Sequence, residues 1–123
     1  MTWQYSQSTA ELRWNGITVT RSGLYSGHGA GRNNPGLQGS PNIGPIPQGR
    51  YAIGSPFHHP HAGDYTLRLT PQPETNTYGR SGFLIHGDSR NHPGNASSGC
   101  IIAQRLIRQR IWSSGDRILD VVP

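Results

Sequence analysis

Lysine does not occur in this chain of 123 residues, and all eleven basic side chains are arginine. Acidic residues number only six, which leaves a net charge of +5. So basic a chain is a candidate for binding nucleic acid, yet its arginines are scattered from Arg13 to Arg117, and only Arg105, Arg108 and Arg110 cluster. No continuous stripe tracks a phosphate backbone, so nucleic acid is not the expected partner. A guanidinium fork suits carboxylates equally well. Cysteine occurs once, at Cys100, which excludes an internal disulfide and leaves a free thiol. No stretch approaches the roughly 20 apolar residues of a membrane span, so no membrane partner is expected. Met1-Thr2-Trp3-Gln4-Tyr5 has neither a basic n-region nor an apolar h-region, so the chain is expected to be made in the cytoplasm without a signal peptide.

What the chain has in excess is glycine, at 17 residues, and proline, at 10, against only 32% hydrophobic residues. Much of it must therefore be turns laid over a modest sheet, while regularly spaced apolar runs argue against disorder. Length predicts one domain over residues 1–123. Within it, residues 1–22 read as a hairpin region, with Glu11–Trp14 and Ile17–Thr20 flanking an Asn15-Gly16 turn and a short strand at Trp3 and Tyr5. Residues 23–49 read as an ordered Gly/Pro/Asn-rich loop, and residues 50–123 as the core. Strands are predicted at Arg50–Ile53, Tyr65–Thr70, Gly82–His86, Gly99–Ala103 and Arg117–Val122. One helix is predicted over Gln104–Ser113, with Leu106, Ile107, Ile111 and Trp112 as its apolar side. The spacing of short strands predicts a mainly β fold, a mostly antiparallel sheet or sandwich with that single helix.

Chemistry concentrates in His86-Gly87-Asp88 and in Ser97-Ser98-Gly99-Cys100-Ile101, whose cysteine lies fourteen residues after the histidine. The runs Phe83-Leu84-Ile85 and Ile101-Ile102-Ala103 place Cys100 and His86 at strand ends beside one loop. A thiol beside an imidazole is a nucleophile beside its base, expected as a thiolate ion pair. Gly99 is expected to open the backbone amides of Gly99 and Cys100 to substrate as an oxyanion hole.

This pattern, His-Gly, a loop, then Ser-x-Gly-Cys and an aliphatic residue, resembles the active-site signature of the L,D-transpeptidases of bacterial cell-wall metabolism. The likeness covers roughly residues 40–123, including Asn42–Tyr51 and the closing Gly115–Val122 segment. Within that superfamily the Gly44-Pro45-Ile46-Pro47-Gln48-Gly49 segment and the Gly79–Asp88 run resemble the small toxins injected by type VI secretion systems. The resemblance implies an L,D-transpeptidase-like sheet, no cofactor, and peptidoglycan tetrapeptide stems as substrate. It further implies secretion machinery, action in the periplasm of target bacteria, and a periplasmic immunity protein in the producer. Many L,D-transpeptidases carry an arginine two residues after the cysteine, where Ile102 stands here. Arg80, Arg90 and Arg105 are the candidates to replace it as carboxylate anchor, Arg90 first because its loop joins base and nucleophile.

The remaining candidates are weaker. Ser97 and Ser98 are conceivable nucleophiles, but a hydroxyl needs stronger activation than a thiol, so Ser97 is expected to bind substrate or orient the loop. Asp88 either orients His86 or caps its turn. Gly87 and His92 belong to the same substrate-binding loop; His92 competes with His86 as a candidate base, but its loop setting favours a solvent-facing or lid residue. His58-His59-Pro60-His61 with Asp64 is a conceivable zinc set, but the proline interruption favours an exposed loop and no metal is expected. Ser26–Gly31 is glycine-rich but lacks the Gly-Lys-Ser/Thr ending of a phosphate cradle. Alternatives to acyl transfer are a cysteine peptidase or amidase acting on cell wall, which usually places cysteine before histidine, and a non-catalytic peptidoglycan-binding module.

Overall fold

The computed structural model describes residues 1–123. Ten strands run in the order β1 (Trp3–Ser6), β2 (Leu12–Trp14), β3 (Ile17–Thr20), β4 (Tyr25–Ser26), β5 (Gly49–Ile53), β6 (Phe57–His59), β7 (Gly63–Pro71), β8 (Leu84–His86), β9 (Ile101–Ile102) and β10 (Ile118–Val122). Helix α1 (Arg105–Ser113) lies between β9 and β10. The strands form a mixed sheet ordered β3-β2-β1-β10-β5-β7-β8-β9-β4, with β6 paired to the start of β7. The mainly β class with one short helix after the cysteine strand is therefore what the sequence leads one to expect.

Alternation explains the first half of the sheet. Trp3 and Tyr5 point inward from β1, and Leu119 and Val121 point inward from β10. The register sets Leu119 between Trp3 and Tyr51, so one apolar row crosses three strands. Asn15 and Gly16 both hold positive φ, 52° and 80°, which is the turn that the Asn-Gly pair signals. Trp14 stacks on Trp3 with ring centroids 5.5 Å apart, closing the hairpin over the core.

Strand β7 is long enough to serve both halves. Its last residues pair with β5, its middle with β8, and its first residues with β6. The second half, β7-β8-β9-β4, carries the chemistry. Two pairings are parallel, β1 with β10 and β8 with β9, where alternation alone suggests mostly antiparallel neighbours. The strand expected over Gly99–Ala103 is shorter, Ile101–Ile102, because Gly99 and Cys100 belong to the turn that enters it.

The 23–49 segment is ordered and contains a strand that its composition hides. Tyr25–Ser26 pairs with β9 and is buried, although it lies between Ser22-Gly23-Leu24 and Gly27. Two 3₁₀ turns, Gly29–Gly31 and Pro35–Leu37, fold the rest back on itself. Its passes touch backbone to backbone: a Cβ at Gly31 would overlap the Ile43 carbonyl, and one at Gly44 the Leu37 carbonyl.

Helix α1 differs from expectation in its buried face. Ile107, Arg108 and Ile111 turn inward, while Leu106 is 75% exposed. Arg108 replaces the expected leucine because its guanidinium reaches the Asp64 and Tyr65 carbonyls of β7, at 2.8 and 3.0 Å. No helix is long and apolar enough to cross a membrane.

Candidate active site

Cys100 and His86 are brought to adjacent strands by the parallel β8/β9 ladder. Ile85 pairs with Ile101 and His86 with Ile102, so Cys100 comes one step before the first pair, alongside Leu84. Faces alternate along a strand, which puts Cys100 on the same face as His86, about 8 Å away on the diagonal. No hydrogen bond joins the two side chains. Sγ lies 3.6 Å from the Gly82 carbonyl, and His86 Nδ1 lies 2.8 Å from the Gly87 carbonyl. A carbonyl only accepts, so Nδ1 carries the proton of the neutral ring and Nε2 keeps its lone pair.

The electrostatics oppose a resting ion pair. Burial pushes the Cys100 thiol above its ordinary value, although a hydrogen bond from the Leu84 backbone and the Arg80 cation act the other way. Burial also holds His86 below the usual histidine value; the Gly87 hydrogen bond opposes this, and the Arg108 guanidinium adds to it. The expected thiolate–imidazolium pair is thus replaced at rest by a neutral thiol and a neutral imidazole. Such a pair suits general-base catalysis, in which the proton moves as the nucleophile attacks, and catalytic hydrogen bonds are often long until substrate is bound.

The two side chains open onto different concavities. Cys100, Gly99 and Ser98 line a cleft of about 330 Å³ with Pro41, Asn42, Tyr78 and the segment 79–83. His86, Gly87, Asp88 and His92 line a second depression of about 320 Å³ with His61 and Asn95. The 23–49 loop does supply a cleft wall, through Pro41 and Asn42.

Ser97 holds the backbone around Cys100. Its buried hydroxyl accepts from the Gly27 amide at 2.9 Å and the Gly99 amide at 3.1 Å, and donates to the Cys100 carbonyl at 2.6 Å. It therefore orients the turn and has no capacity left for substrate. The same contact removes the Gly99 amide from the expected oxyanion hole; the Cys100 amide has no hydrogen-bond acceptor within the protein and stays available. Gly99 is glycine because its φ is +133° and because a Cβ there would overlap Arg80 Nη2.

Asp88 caps its own loop. Its carboxylate accepts from the Tyr25 hydroxyl at 2.6 Å, the Ser89 amide at 2.8 Å and the Gly94 amide at 3.1 Å, and His86 is oriented instead by the Gly87 carbonyl. Arg90 is exposed and lines neither concavity. Arg105 lies 5.4 Å from the Tyr65 ring, also outside the cleft. Arg80 does line the cleft, but its Nη hydrogens are taken by backbone carbonyls. None of the three arginines is placed to fork a carboxylate. The free polar side chains at the cleft are Asn42, Tyr78, Ser81 and Ser98. The histidine run begins in strand β6 and not in the expected loop: His58 pairs with Asp64 at 2.5 Å, and His59 Nδ1 accepts from the amides of His61 and Ala62 in the turn that follows.

A family model described as the Tlde1 domain matches residues 20–119, from the end of the hairpin to the last strand. The chain belongs to the Tlde1 domain family. That span contains Cys100, His86 and both concavities, and it agrees with the resemblance that the Gly79–Asp88 and Ser97–Cys100 motifs carry. Among solved structures, L,D-transpeptidase 1 of Mycobacterium tuberculosis superposes with a TM-score of 0.54 at 18% identity, over 99% of this chain and 61% of that one. The Tlde1 domain therefore has the L,D-transpeptidase fold while spanning less than two thirds of that protein. No curated protein matches the sequence.

Two outcomes follow from this geometry. Ser97→Ala leaves two buried amides without an acceptor, and each such group costs about 1–3 kcal/mol; urea denaturation should show a loss in that range, and an unchanged midpoint would refute the hub. His86, followed by its imidazole proton resonances, should titrate below pH 6.5, and the Cys100 thiolate absorbance should appear above pH 9.0.

Proposed function

We propose that this Tlde1 domain is a peptidoglycan-modifying cysteine acyltransferase acting on tetrapeptide stems. The observation that carries the reading is the only cysteine, held by Ser97 at the edge of an open cleft, on the same sheet face as a histidine whose Nε2 is unprotonated.

Cys100 Sγ attacks the carbonyl on the L-centre of the third stem residue while His86 Nε2 takes the thiol proton. Because both groups start neutral, the proton transfer and the attack are coupled, and no preformed thiolate is required. The Cys100 amide donates to the oxygen as its charge builds. The carbon–nitrogen bond to the terminal D-alanine breaks, the leaving amine takes the proton from the imidazolium, and a thioester remains. An acceptor then attacks the thioester, gives its proton to His86, and frees the thiol. A stem amine as acceptor yields a 3-3 crosslink, a free D-amino acid yields exchange, and water yields L,D-carboxypeptidase activity. Asn42, Tyr78, Ser81 and Ser98 are the neutral groups available to hold the donor stem, in place of an arginine anchor.

This activity has its substrate in the periplasm, so the reading extends to an effector delivered by a type VI secretion system, with a periplasmic immunity protein protecting the producer. Incubation with purified disaccharide-tetrapeptide, with and without a D-amino acid, should give products whose masses distinguish the acceptors. Cys100→Ala should abolish all of them with the fold intact, and turnover by that variant would end the assignment. His86→Ala should lose as much as the double variant, because a nucleophile and its base act as a unit. Expression behind an export signal should arrest growth while cytosolic expression is tolerated; equal toxicity from both would point to a target inside the cell.

A further inference from the structure

Arg80 is a part-buried cation without a carboxylate partner. The acidic residues that make side-chain contacts are engaged elsewhere: Glu11 with Arg13 and Arg21, Asp64 with His58, Asp88 with Tyr25, Asp116 with Trp14, and Asp120 with Arg50. Its guanidinium is instead wrapped by main chain. Nη1 donates to the Gln38 and Pro45 carbonyls, and Nη2 to the Gly44 and Ser98 carbonyls, at 2.9 and 3.3 Å for the last two. All four Nη hydrogens are thereby used, joining the 38–45 stretch of the long loop to the residue two before Cys100. The guanidinium carbon sits 5.7 Å from the Phe83 ring centroid, on the wall of the Cys100 cleft. The absent side chain of Gly99 is what lets Nη2 come so close to the nucleophile turn.

Carbonyl oxygens satisfy a guanidinium's hydrogen bonds without cancelling its charge. The cation therefore remains electrostatically available to the one group beside it that becomes negative. The ionisable side chains that line the cleft with Cys100 are two, Arg80 and Tyr78, both from the segment before β8, while His86 of β8 opens onto the other depression. No carboxylate lines the cleft, and α1 contributes nothing to it.

We propose that Arg80 is a positioning residue for Cys100, which fastens the nucleophile turn to the 38–45 loop and presents the cation that the Cys100 thiolate faces. The proposal rests on Cys100 being the nucleophile of the proposed reaction, but the geometry assigns Arg80 a job other than anchoring a substrate carboxylate. A planar fork spanning four carbonyls has no lysine equivalent, so Lys at this position keeps the charge while losing the clamp.

That difference separates the two roles. Alkylation of Cys100 by iodoacetamide, followed by intact mass across a pH series, reads the thiol directly and uses no peptidoglycan, so its outcome is independent of the acyl-transfer reading that Cys100→Ala turnover tests. Arg80→Gln should raise the alkylation midpoint by about one pH unit or more, as loss of a nearby opposite charge does. Arg80→Lys should move it by less than half as much, while both variants lower Tm. A lowered Tm with an unmoved midpoint in Arg80→Gln would reduce Arg80 to a structural clamp and overturn the proposal, as would equal midpoint shifts in the two variants. Should Arg80→Gln not fold, the native protein supplies the test. At salt that screens its surface charge, iodoacetate relative to iodoacetamide should react several-fold faster with Cys100 than the same ratio measured on glutathione, and parity would overturn the proposal.

Discussion

The parallel pairing of β8 with β9 is the constraint on which the site depends. Residues 86 and 102 meet only because the chain leaves the far end of β8, runs through the loop that holds Asp88 and Ser97, and returns to the end where β8 begins before starting β9. Parallel neighbours need such a crossover, and here no helix fills it. The loop is instead tied down by polar contacts: Asp88 binds the Tyr25 hydroxyl and the Gly94 amide, the Tyr25 hydroxyl in turn accepts from the Ala96 amide, and Ser97 gathers Gly27, Gly99 and Cys100. Strand β4 then covers the outer edge of β9, so the cysteine strand is paired on both sides although only two residues long.

A chain with so little apolar surface uses arginine where a larger protein has more core. Arg108 is buried at 7% exposure and is held by two carbonyls of β7, and Arg80 is held by four carbonyls from two loops. In both cases the long stem packs while the head satisfies backbone acceptors, and no carboxylate is present to neutralise it. Each lies near one of the two candidate groups, Arg80 by the Cys100 thiol and Arg108 by the His86 imidazole. Arg108 favours the neutral ring, and Arg80 favours the ionised sulfur.

The same economy explains why no arginine remains to bind a carboxylate in the cleft. A guanidinium used as a structural fastener has no free fork, and Arg90, which lies between His86 and Cys100 in the sequence, is exposed and lines neither concavity. The polar side chains left free at the cleft are neutral hydroxyl and amide groups.

Much was legible in the sequence because it is local. Asn15-Gly16 specifies its turn through φ angles that few other residues tolerate, alternation in β1, β5 and β10 assigns inward faces, and a glycine before a lone cysteine marks a turn entering an apolar strand. The motif residues themselves, Cys100, His86 and Ser97, also stand out, since reactive and hydroxyl groups at that spacing are rare by chance. What tertiary structure decided are the contacts between distant segments. Strand β4 exists only because β9 offers it an edge, Arg108 turns inward in place of Leu106 only because β7 presents two carbonyls, and Ser97 accepts from the Gly27 amide only once that distant segment lies beside its turn. The absence of a resting ion pair belongs to the same class: residue types establish that a thiol and an imidazole are present, but burial and the neighbouring charges, which no linear spacing encodes, determine that both rest neutral.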